Sequence, residues 1–313
     1  MSEESLRDIL LEGNAFPEED EVLDRIAVIG GGQMGLGIAQ AVSAKGLDVI
    51  LVERNEESLA ASLEQLSNNL DREIARWGLT ESDKRAILSR IHGSANLADL
   101  EEVKLILEAV SEDLSIKRDL FHRLDALVEP DAVFGTNTST LSVTELAEST
   151  ARPEQVIGMH FLYPVPKRAL IEIVRGLKTS DETFNMVKSF GESIGKTVVE
   201  VYESPGYVTT RVVLPMLNEA MYALMEGVAS AEGIDTAIRL GYDLAQGPLA
   251  LSDQMGLDEV MKWLETMFRE TGEMKYRPCP LLRKLVRAGH LGVKAGKGFF
   301  TYDEQGRRQS ANQ

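Results

Sequence analysis

The chain has 313 residues, of which 43% are hydrophobic and 27% are charged, and its formal net charge is −17. This length accommodates two domains with separate cores, and the composition is that of an ordinary globular protein. The negative charge argues against general nucleic-acid binding, which needs a basic face, and no apolar run is long enough to predict a membrane span. The single cysteine, Cys279, excludes an intramolecular disulfide framework and a cysteine-rich metal site.

The segment 1–24 is an acidic N-terminal extension with nine carboxylates and one arginine. It lacks the basic and apolar pattern of a targeting peptide, and together with the lone cysteine this favours a cytoplasmic location. A second uneven region lies between Met274 and Tyr302, where basic residues occur and acids do not. This basic stretch indicates either a bound anion or a subunit contact, or else a solvated helix face.

Predicted strands and helices alternate through the first two thirds of the chain. Short β-branched runs predict strands, and apolar residues at three- and four-residue spacing predict helices. The predicted strands are RIAVIG, DVILVE, VKLILEAV, AVFGTN, QVIGMHF, LIEIV and TVVEV, and the helices include 56–76, 80–90 and 181–193. This alternation predicts an α/β fold with a Rossmann-like, doubly wound parallel sheet.

The pattern changes after the sequence "ESPG" at 203–206, where helical spacing takes over. We therefore predict a nucleotide-binding domain at 25–203 and an all-α domain at 204–313. The active site is expected in the cleft between them.

A glycine-rich turn follows the first predicted strand. In "VIGGGQMG", Gly30, Gly32 and Gly35 have the G-x-G-x-x-G spacing, a helix follows, and the next strand ends in Glu53. Alone the spacing is a weak signal, but in this context it predicts a dinucleotide site, with a pyrophosphate on the helix N-terminus. Glu53 would bind the ribose hydroxyls and favour NAD over NADP, although the neighbouring Arg54 could meet a 2′-phosphate.

His160 ends another predicted strand, and Glu172 lies on the next one. An isolated histidine at a strand end is more often structural than catalytic. Ligands of open α/β sheets, however, bind at the carboxyl ends of strands, and a carboxylate can orient an imidazole that acts as a base. The turn "TNTST" offers Ser139 as a donor, although turn hydroxyls more often cap local backbone.

Several motifs resemble the L-3-hydroxyacyl-CoA dehydrogenase family, among them "VIGGGQMGLGIAQ", "LEAVSEDLSIKRDLF", "TNTSTL", "GMHF" and "SPGY". The resemblance extends from about residue 25 to residue 302. It implies reversible oxidation of a 3-hydroxyacyl-CoA by NAD without a metal, and a homodimer formed through the C-terminal domain.

The resemblance also implies roles for individual residues. His160 would be the general base, Glu172 its orienting partner and Ser139 a donor to the substrate oxygen. The cofactor residues it implies, beyond the glycines and Glu53, are Gln33, Met34, Glu112, Lys117 and Lys294. Asn69 and Arg76 would contact coenzyme A.

The chain departs from the family pattern on the substrate side. Tyr163 stands where the family usually has asparagine, and Arg168 and Ala169 replace a usual Met-Lys pair. Thr210 replaces another usual asparagine in the catalytic neighbourhood, so it is expected to donate one hydrogen bond from a shorter arm. These changes indicate a non-standard substrate preference, or else tolerated variants.

Two other functions stay open from the sequence. One is a dehydrogenase of free or carrier-bound 3-hydroxy acids, which would not need the basic stretch or Arg76. The other is an NAD-binding scaffold that has lost catalysis.

Overall fold

A computed structural model describes residues 23–76 and 78–309. Most of the acidic extension 1–24 therefore lies outside the described residues. The chain forms two compact units. The first ends at Tyr202 and leaves out Ser139–Ser142, which belong to the second unit together with the chain from Glu203 onwards.

The first unit contains an eight-stranded sheet with the strand order β3-β2-β1-β4-β5-β6-β7-β8. Its strands are β1 (Arg25–Ile29), β2 (Asp48–Val52), β3 (Ile91–Ser94), β4 (Leu105–Glu108), β5 (Val133–Thr136), β6 (Val156–Phe161), β7 (Leu170–Arg175) and β8 (Thr197–Tyr202). The central strands are buried on both faces, which explains why they read as continuous apolar runs without alternation.

Six helices accompany this sheet within the described residues. They are α1 (Gln33–Ser43), α2 (Glu56–Ala75), α3 (Glu81–Ser89), α4 (Leu114–Asp125), α5 (Val143–Ala147) and α6 (Asp181–Ser193). Side-chain caps define several of their starts: Asn55 caps α2, Thr80 and Asp83 form a capping box on α3, and Asp113 caps α4. These caps accept hydrogen bonds from N–H groups that have no partner inside the helix.

The predicted α/β fold with a doubly wound parallel sheet is confirmed, with one antiparallel strand pair as the exception. Strands β6 and β7 pair antiparallel, whereas every other neighbouring pair is parallel. The reason is the short connection between them, because a parallel crossover needs about a dozen residues or more. Strand β3, which pairs with β2, has no counterpart among the predicted strands.

The second unit is helical, as predicted. Its helices are α7 (Thr209–Met225), α8 (Ala231–Gly241), α9 (Pro248–Met255), α10 (Leu257–Thr271) and α11 (Pro280–Arg287). They share an apolar core that includes Leu217, Leu264 and Met267. Buried Asp253 accepts hydrogen bonds from the backbone of Phe299 and Phe300 and from the Tyr302 hydroxyl, so it ties the C-terminal segment to this core. None of the helices in the described ranges is both long and apolar enough to cross a membrane.

Candidate active site

The glycine-rich turn is shaped by two close backbone approaches. Gly30 has φ +102°, and a Cβ there would lie 2.8 Å from the carbonyl oxygen of Ala109. A Cβ on Gly35 would lie 1.8 Å from the Gly30 carbonyl oxygen. Any side chain at Gly35 would therefore push α1 away from β1, so the turn can form only with glycine there.

Gly32 is different, because nothing lies within 4 Å of the position that its Cβ would occupy. It is the N-cap of α1 and provides no side-chain cap. Gln33 and Met34 begin the helix, and their N–H groups have no acceptor within it. The turn thus presents open space and free donors at a positive helix end, which suits an anionic pyrophosphate.

Glu53 follows β2 and lies beside the same turn. Its carboxylate accepts the N–H of Gly31 at 2.6 Å through one oxygen and the N–H of Arg54 at 3.0 Å through the other. The guanidinium of Arg54 donates to the hydroxyl of Ser58 on α2. These contacts fix the Glu53 carboxylate beside the turn, where it could accept hydrogen bonds from ribose hydroxyls and would repel a 2′-phosphate.

His160 and Glu172 face each other across β6 and β7. They are direct partners in the antiparallel register, and His160 Nδ1 lies 2.6 Å from Glu172 Oε2. Both side chains are buried, with relative exposures of 7% and 1%. Since β1, β4, β5 and β6 run parallel, the end of β6 that carries His160 lies along the same sheet edge as the glycine turn. The structure therefore brings this histidine and this carboxylate together at the carboxyl ends of the parallel strands, which is where open α/β sheets generally bind their ligands.

A buried ion pair on this edge escaped the sequence analysis. Lys117 Nζ lies 2.8 and 2.9 Å from the two carboxylate oxygens of Glu108, and both side chains are fully buried. Glu108 also accepts the Thr136 hydroxyl and the N–H of Val110. Burial raises the pKa of Glu108, and the ammonium of Lys117 opposes this effect. The pair joins the ends of β4 and β5 to the start of α4.

The network around Lys117 extends in two directions. Its ammonium lies 3.5 Å from Glu112, which also accepts the Thr138 hydroxyl, and it donates to the carbonyl of Asn137. The Asn137 side chain in turn accepts the N–H of Phe161, the residue after His160. Lys117 and Glu112, both predicted at the cofactor, thus belong to one network that reaches β6.

The other predicted residues lie on separate elements. Asn69 lines a shallow depression on α2 together with polar neighbours, and Arg76 is the C-cap of that helix. Ser139 and Thr210 belong to the second unit, where Thr210 lies in the first turn of α7. Lys294, also in the second unit, pairs with Asp258 at 2.7 Å.

Family models match almost the entire described chain. The model of the 3-hydroxyacyl-CoA dehydrogenase NAD-binding domain matches residues 25–204, and that of the family's C-terminal domain matches residues 206–302. The chain belongs to the 3-hydroxyacyl-CoA dehydrogenase family. It is therefore an NAD-dependent oxidoreductase that acts on a CH–OH group, and the predicted fold class, family and cofactor are confirmed.

Individual relatives support this assignment. A probable 3-hydroxybutyryl-CoA dehydrogenase of Bacillus subtilis is 44% identical over 90% of this chain and 99% of its own. The crystal structure of (S)-3-hydroxybutyryl-CoA dehydrogenase from Ralstonia eutropha superposes with a TM-score of 0.83, at 40% identity over 90% of this chain and 100% of its own. A diketoreductase described as acting on dicarbonyl compounds has a TM-score of 0.79, at 29% identity over 90% of this chain and 99% of its own.

The residues of the glycine turn fit NAD. The open position at Gly32 and the uncapped start of α1 suit a pyrophosphate. The carboxylate of Glu53, held by the Gly31 N–H, suits a ribose diol. Among residues 23–76 and 78–309, no three or more His, Cys, Asp or Glu side chains are grouped to hold a metal ion.

We expect Gly32→Ala and Gly35→Ala to fail in different ways. At Gly32 the added methyl meets no protein atom but occupies the open position, so NADH affinity should fall about tenfold or more, roughly 1.4 kcal/mol, at unchanged stability. At Gly35 the methyl meets backbone, so the free energy of unfolding should fall by about 2–4 kcal/mol. Fluorescence titration with NADH and urea unfolding measure the two effects. Wild-type NADH affinity in Gly32→Ala would contradict the assignment of the pyrophosphate position.

Lys117→Met should destabilise the first unit strongly, because it leaves the buried Glu108 carboxylate without its ammonium. The expected loss is about 3–5 kcal/mol in urea unfolding, partly restored in the double variant with Glu108→Gln. Arg118→Met is the matched control. Arg118 is the next residue on the same helix and forms a half-exposed pair with Glu145 of α5, so this variant should lose less than about 1 kcal/mol. Equal losses of unfolding free energy in Lys117→Met and Arg118→Met would show that the buried pair contributes no more to stability than the exposed one.

Proposed function

We propose that this protein interconverts a 3-hydroxyacyl-CoA and a 3-oxoacyl-CoA, with His160 as the general base and Glu172 as the residue that orients it. The observation that carries the proposal is the buried His160–Glu172 contact on the sheet edge that also holds the dinucleotide turn. The oxidation needs a base at the hydroxyl and a hydride acceptor at the carbon that carries it. His160 would supply the base, and a dinucleotide bound at the glycine turn would supply the acceptor.

The contact determines how the imidazole handles the proton. With Nδ1–H donating to the Glu172 carboxylate, Nε2 is the nitrogen without a proton and is therefore the one that can act as a base. In the oxidation, Nε2 takes the proton of the 3-hydroxyl, and Glu172 stabilises the imidazolium that forms. In the reduction, the imidazolium returns this proton to the carbonyl oxygen. NAD, when bound, accepts or supplies the hydride.

The remaining site residues take supporting roles in this proposal. Ser139 and Thr210 donate hydrogen bonds to the reacting oxygen, where negative charge develops. Glu112, Lys117 and Lys294 are proposed as cofactor residues, as the family resemblance implies. The carboxylate partners of both lysines, Glu108 and Asp258, hold their ammonium groups in place.

Coenzyme A would be bound by Asn69 and Arg76 of α2. Asn69 lines an open depression in the helix surface, and the guanidinium of Arg76 is exposed at the end of the same helix. A guanidinium suits a phosphate-bearing carrier, and Arg72 also lines the depression. Within the basic stretch 274–302, Lys275 and Arg283 already pair with Glu273 and Glu265.

The substrate itself is proposed to differ from an ordinary fatty acyl-CoA. Tyr163 is 52% exposed and presents a ring where the family usually has an amide, and Thr210 has a shorter arm than asparagine. A short, polar or branched 3-hydroxyacyl group, or one on another carrier, would suit this change. The similarity to a diketoreductase favours a second candidate, a dehydrogenase of substrates without coenzyme A.

Assembly and location complete the proposal. Val212, Leu240 and Tyr242 of the second unit are large apolar side chains that are at least 66% exposed, which supports a homodimer through this unit. The buried free thiol of Cys279 is compatible with a reducing cytoplasm.

The first test is NADH oxidation at 340 nm with acetoacetyl-CoA. We expect turnover by the wild type, and a loss of about 10²–10⁴-fold in kcat for His160→Ala. Glu172→Gln keeps an oxygen acceptor but removes the charge, so its loss should be smaller. His92→Ala, which alters an exposed histidine of β3, is the control. No turnover by the wild type, with NADH still bound, would favour a substrate without coenzyme A or a catalytically inactive scaffold.

Substrate preference is tested by Tyr163→Asn and Thr210→Asn. If the ring and the short arm restrict the substrate, the double variant should change the ratio of kcat/KM between acetoacetyl-CoA and a branched 3-oxoacyl-CoA by about tenfold or more. Tyr202→Asn removes another exposed tyrosine of the first unit and should leave the ratio unchanged. An unchanged ratio in the double variant would mean that both departures are tolerated replacements.

A further inference from the structure

Lys196 is a buried lysine to which neither the fold nor the proposed chemistry assigns a role. It lies between α6 and β8 with a relative exposure of 8%. Its ammonium donates to the carbonyl oxygens of Val165 and Arg168, each at 2.7 Å. Within the described part of the chain, the charge that acts on it is that of Lys45, and no carboxylate compensates it. Burial therefore lowers the pKa of Lys196.

Both carbonyls belong to the turn at 162–169, which connects the His160 strand to the Glu172 strand. The turn contains the cis Tyr163–Pro164 peptide and a single 3₁₀ turn at Val165–Lys167. Its own hydrogen bonds are few: the backbone N–H groups of Lys167 and Arg168 donate to the Pro164 carbonyl, the Arg168 N–H also reaches the Val165 carbonyl at 3.4 Å, and the Arg168 guanidinium donates to the Tyr163 carbonyl. The turn therefore needs external contacts to hold a single conformation.

Those contacts come from two sides. On one side, Val165 is 1% exposed and packs against Gly37 of α1, where an added Cβ would lie 3.2 Å from the valine side chain. On the other side, the Lys196 ammonium donates to two carbonyls of the turn, and the backbone N–H of Thr197 donates to the Ala169 carbonyl. The substrate-side turn is thus held between the helix of the dinucleotide turn and the ammonium of Lys196.

An uncompensated buried ammonium is costly, so a merely structural explanation is incomplete. A neutral side chain of similar length would avoid the cost of burying a charge, but it would leave the Arg168 carbonyl without this donor and the Val165 carbonyl with only the long 3.4 Å hydrogen bond from the Arg168 N–H. The two hydrogen bonds of the ammonium fix the backbone at both ends of the Val165–Arg168 segment. Tyr163 is joined to this segment through Pro164 alone and is half-exposed, so the placement of its ring depends on this backbone.

We propose that Lys196 is a positioning residue for the substrate side of the site: it fixes the turn that carries Tyr163 and joins the His160 and Glu172 strands. This inference rests on the proposed function, in which Tyr163 borders the substrate. It assigns Lys196 no contact with substrate or cofactor.

The test compares Lys196→Met, which keeps the aliphatic stem and removes the donors, with Lys196→Arg, which keeps donors. Lys45→Met is the matched control, because Lys45 is exposed and lies against the same Gly195 turn. In Lys196→Met, kcat/KM for acetoacetyl-CoA should fall about 10–100-fold while the KM for NADH stays unchanged. Lys196→Arg should recover part of this loss, and Lys45→Met should behave as wild type.

Limited trypsin digestion gives a readout that does not depend on activity. Lys167 and Arg168 are exposed trypsin sites inside the held turn, so cleavage after them should be slow in the wild type and faster in Lys196→Met. If the wild type does not use acetoacetyl-CoA, the proposed function fails, and the digestion still decides whether Lys196 holds the turn. Wild-type cleavage in Lys196→Met overturns the inference. The inference is also overturned if Lys196→Met lowers the melting temperature and impairs the use of acetoacetyl-CoA and of NADH equally, because that pattern indicates general destabilisation.

Discussion

Strand β7 runs antiparallel to β6, and this reversal determines which side chains meet at the candidate site. In the observed register His160 lies opposite Glu172, and every shift by one residue would move one of them to the other face of the sheet. The short connection at 162–169 imposes the reversal. The histidine–carboxylate contact is therefore a product of chain topology, and the surrounding buried sheet holds it rigidly enough to orient an imidazole.

Much of this arrangement follows from local sequence patterns. The glycine turn was predictable because each glycine has its own steric reason, and Gly30 and Gly35 show those reasons directly. The His160–Glu172 contact was predictable once two strands were recognised, since each residue lies on an apolar run that can only be a buried strand. The glycine spacing and the apolar strand runs are both short-range patterns. The structures that they predict form because the tertiary contacts favour the same local conformations.

The features that the sequence did not reveal depend on long-range packing. Strand β3 is the short segment Ile91–Ser94, whose IHGS sequence lacks a β-branched or alternating run, and it forms only because β2 offers an edge. The family resemblance assigns Lys117 to the cofactor, but no local pattern indicates that Lys117 or Lys196 is buried, because burial of a charge depends on partners elsewhere in the chain. Lys117 finds a carboxylate of β4, whereas Lys196 finds only carbonyls. The spacing of apolar residues in the sequence indicates neither the carboxylate partner of Lys117 nor the carbonyl partners of Lys196.

The assignment of Ser139–Ser142 to the second unit has a consequence for how the polypeptide is connected. The chain leaves the first unit after Thr138, returns at Val143 and leaves again after Tyr202, so it passes between the units three times. A fragment that begins at Glu203 would contain every helix of the second unit, yet the Tyr207 hydroxyl would lose its acceptor, the Leu141 carbonyl. No single break in the backbone can therefore release the two units intact, and an exchange of either unit between relatives must carry this four-residue segment as a separate piece.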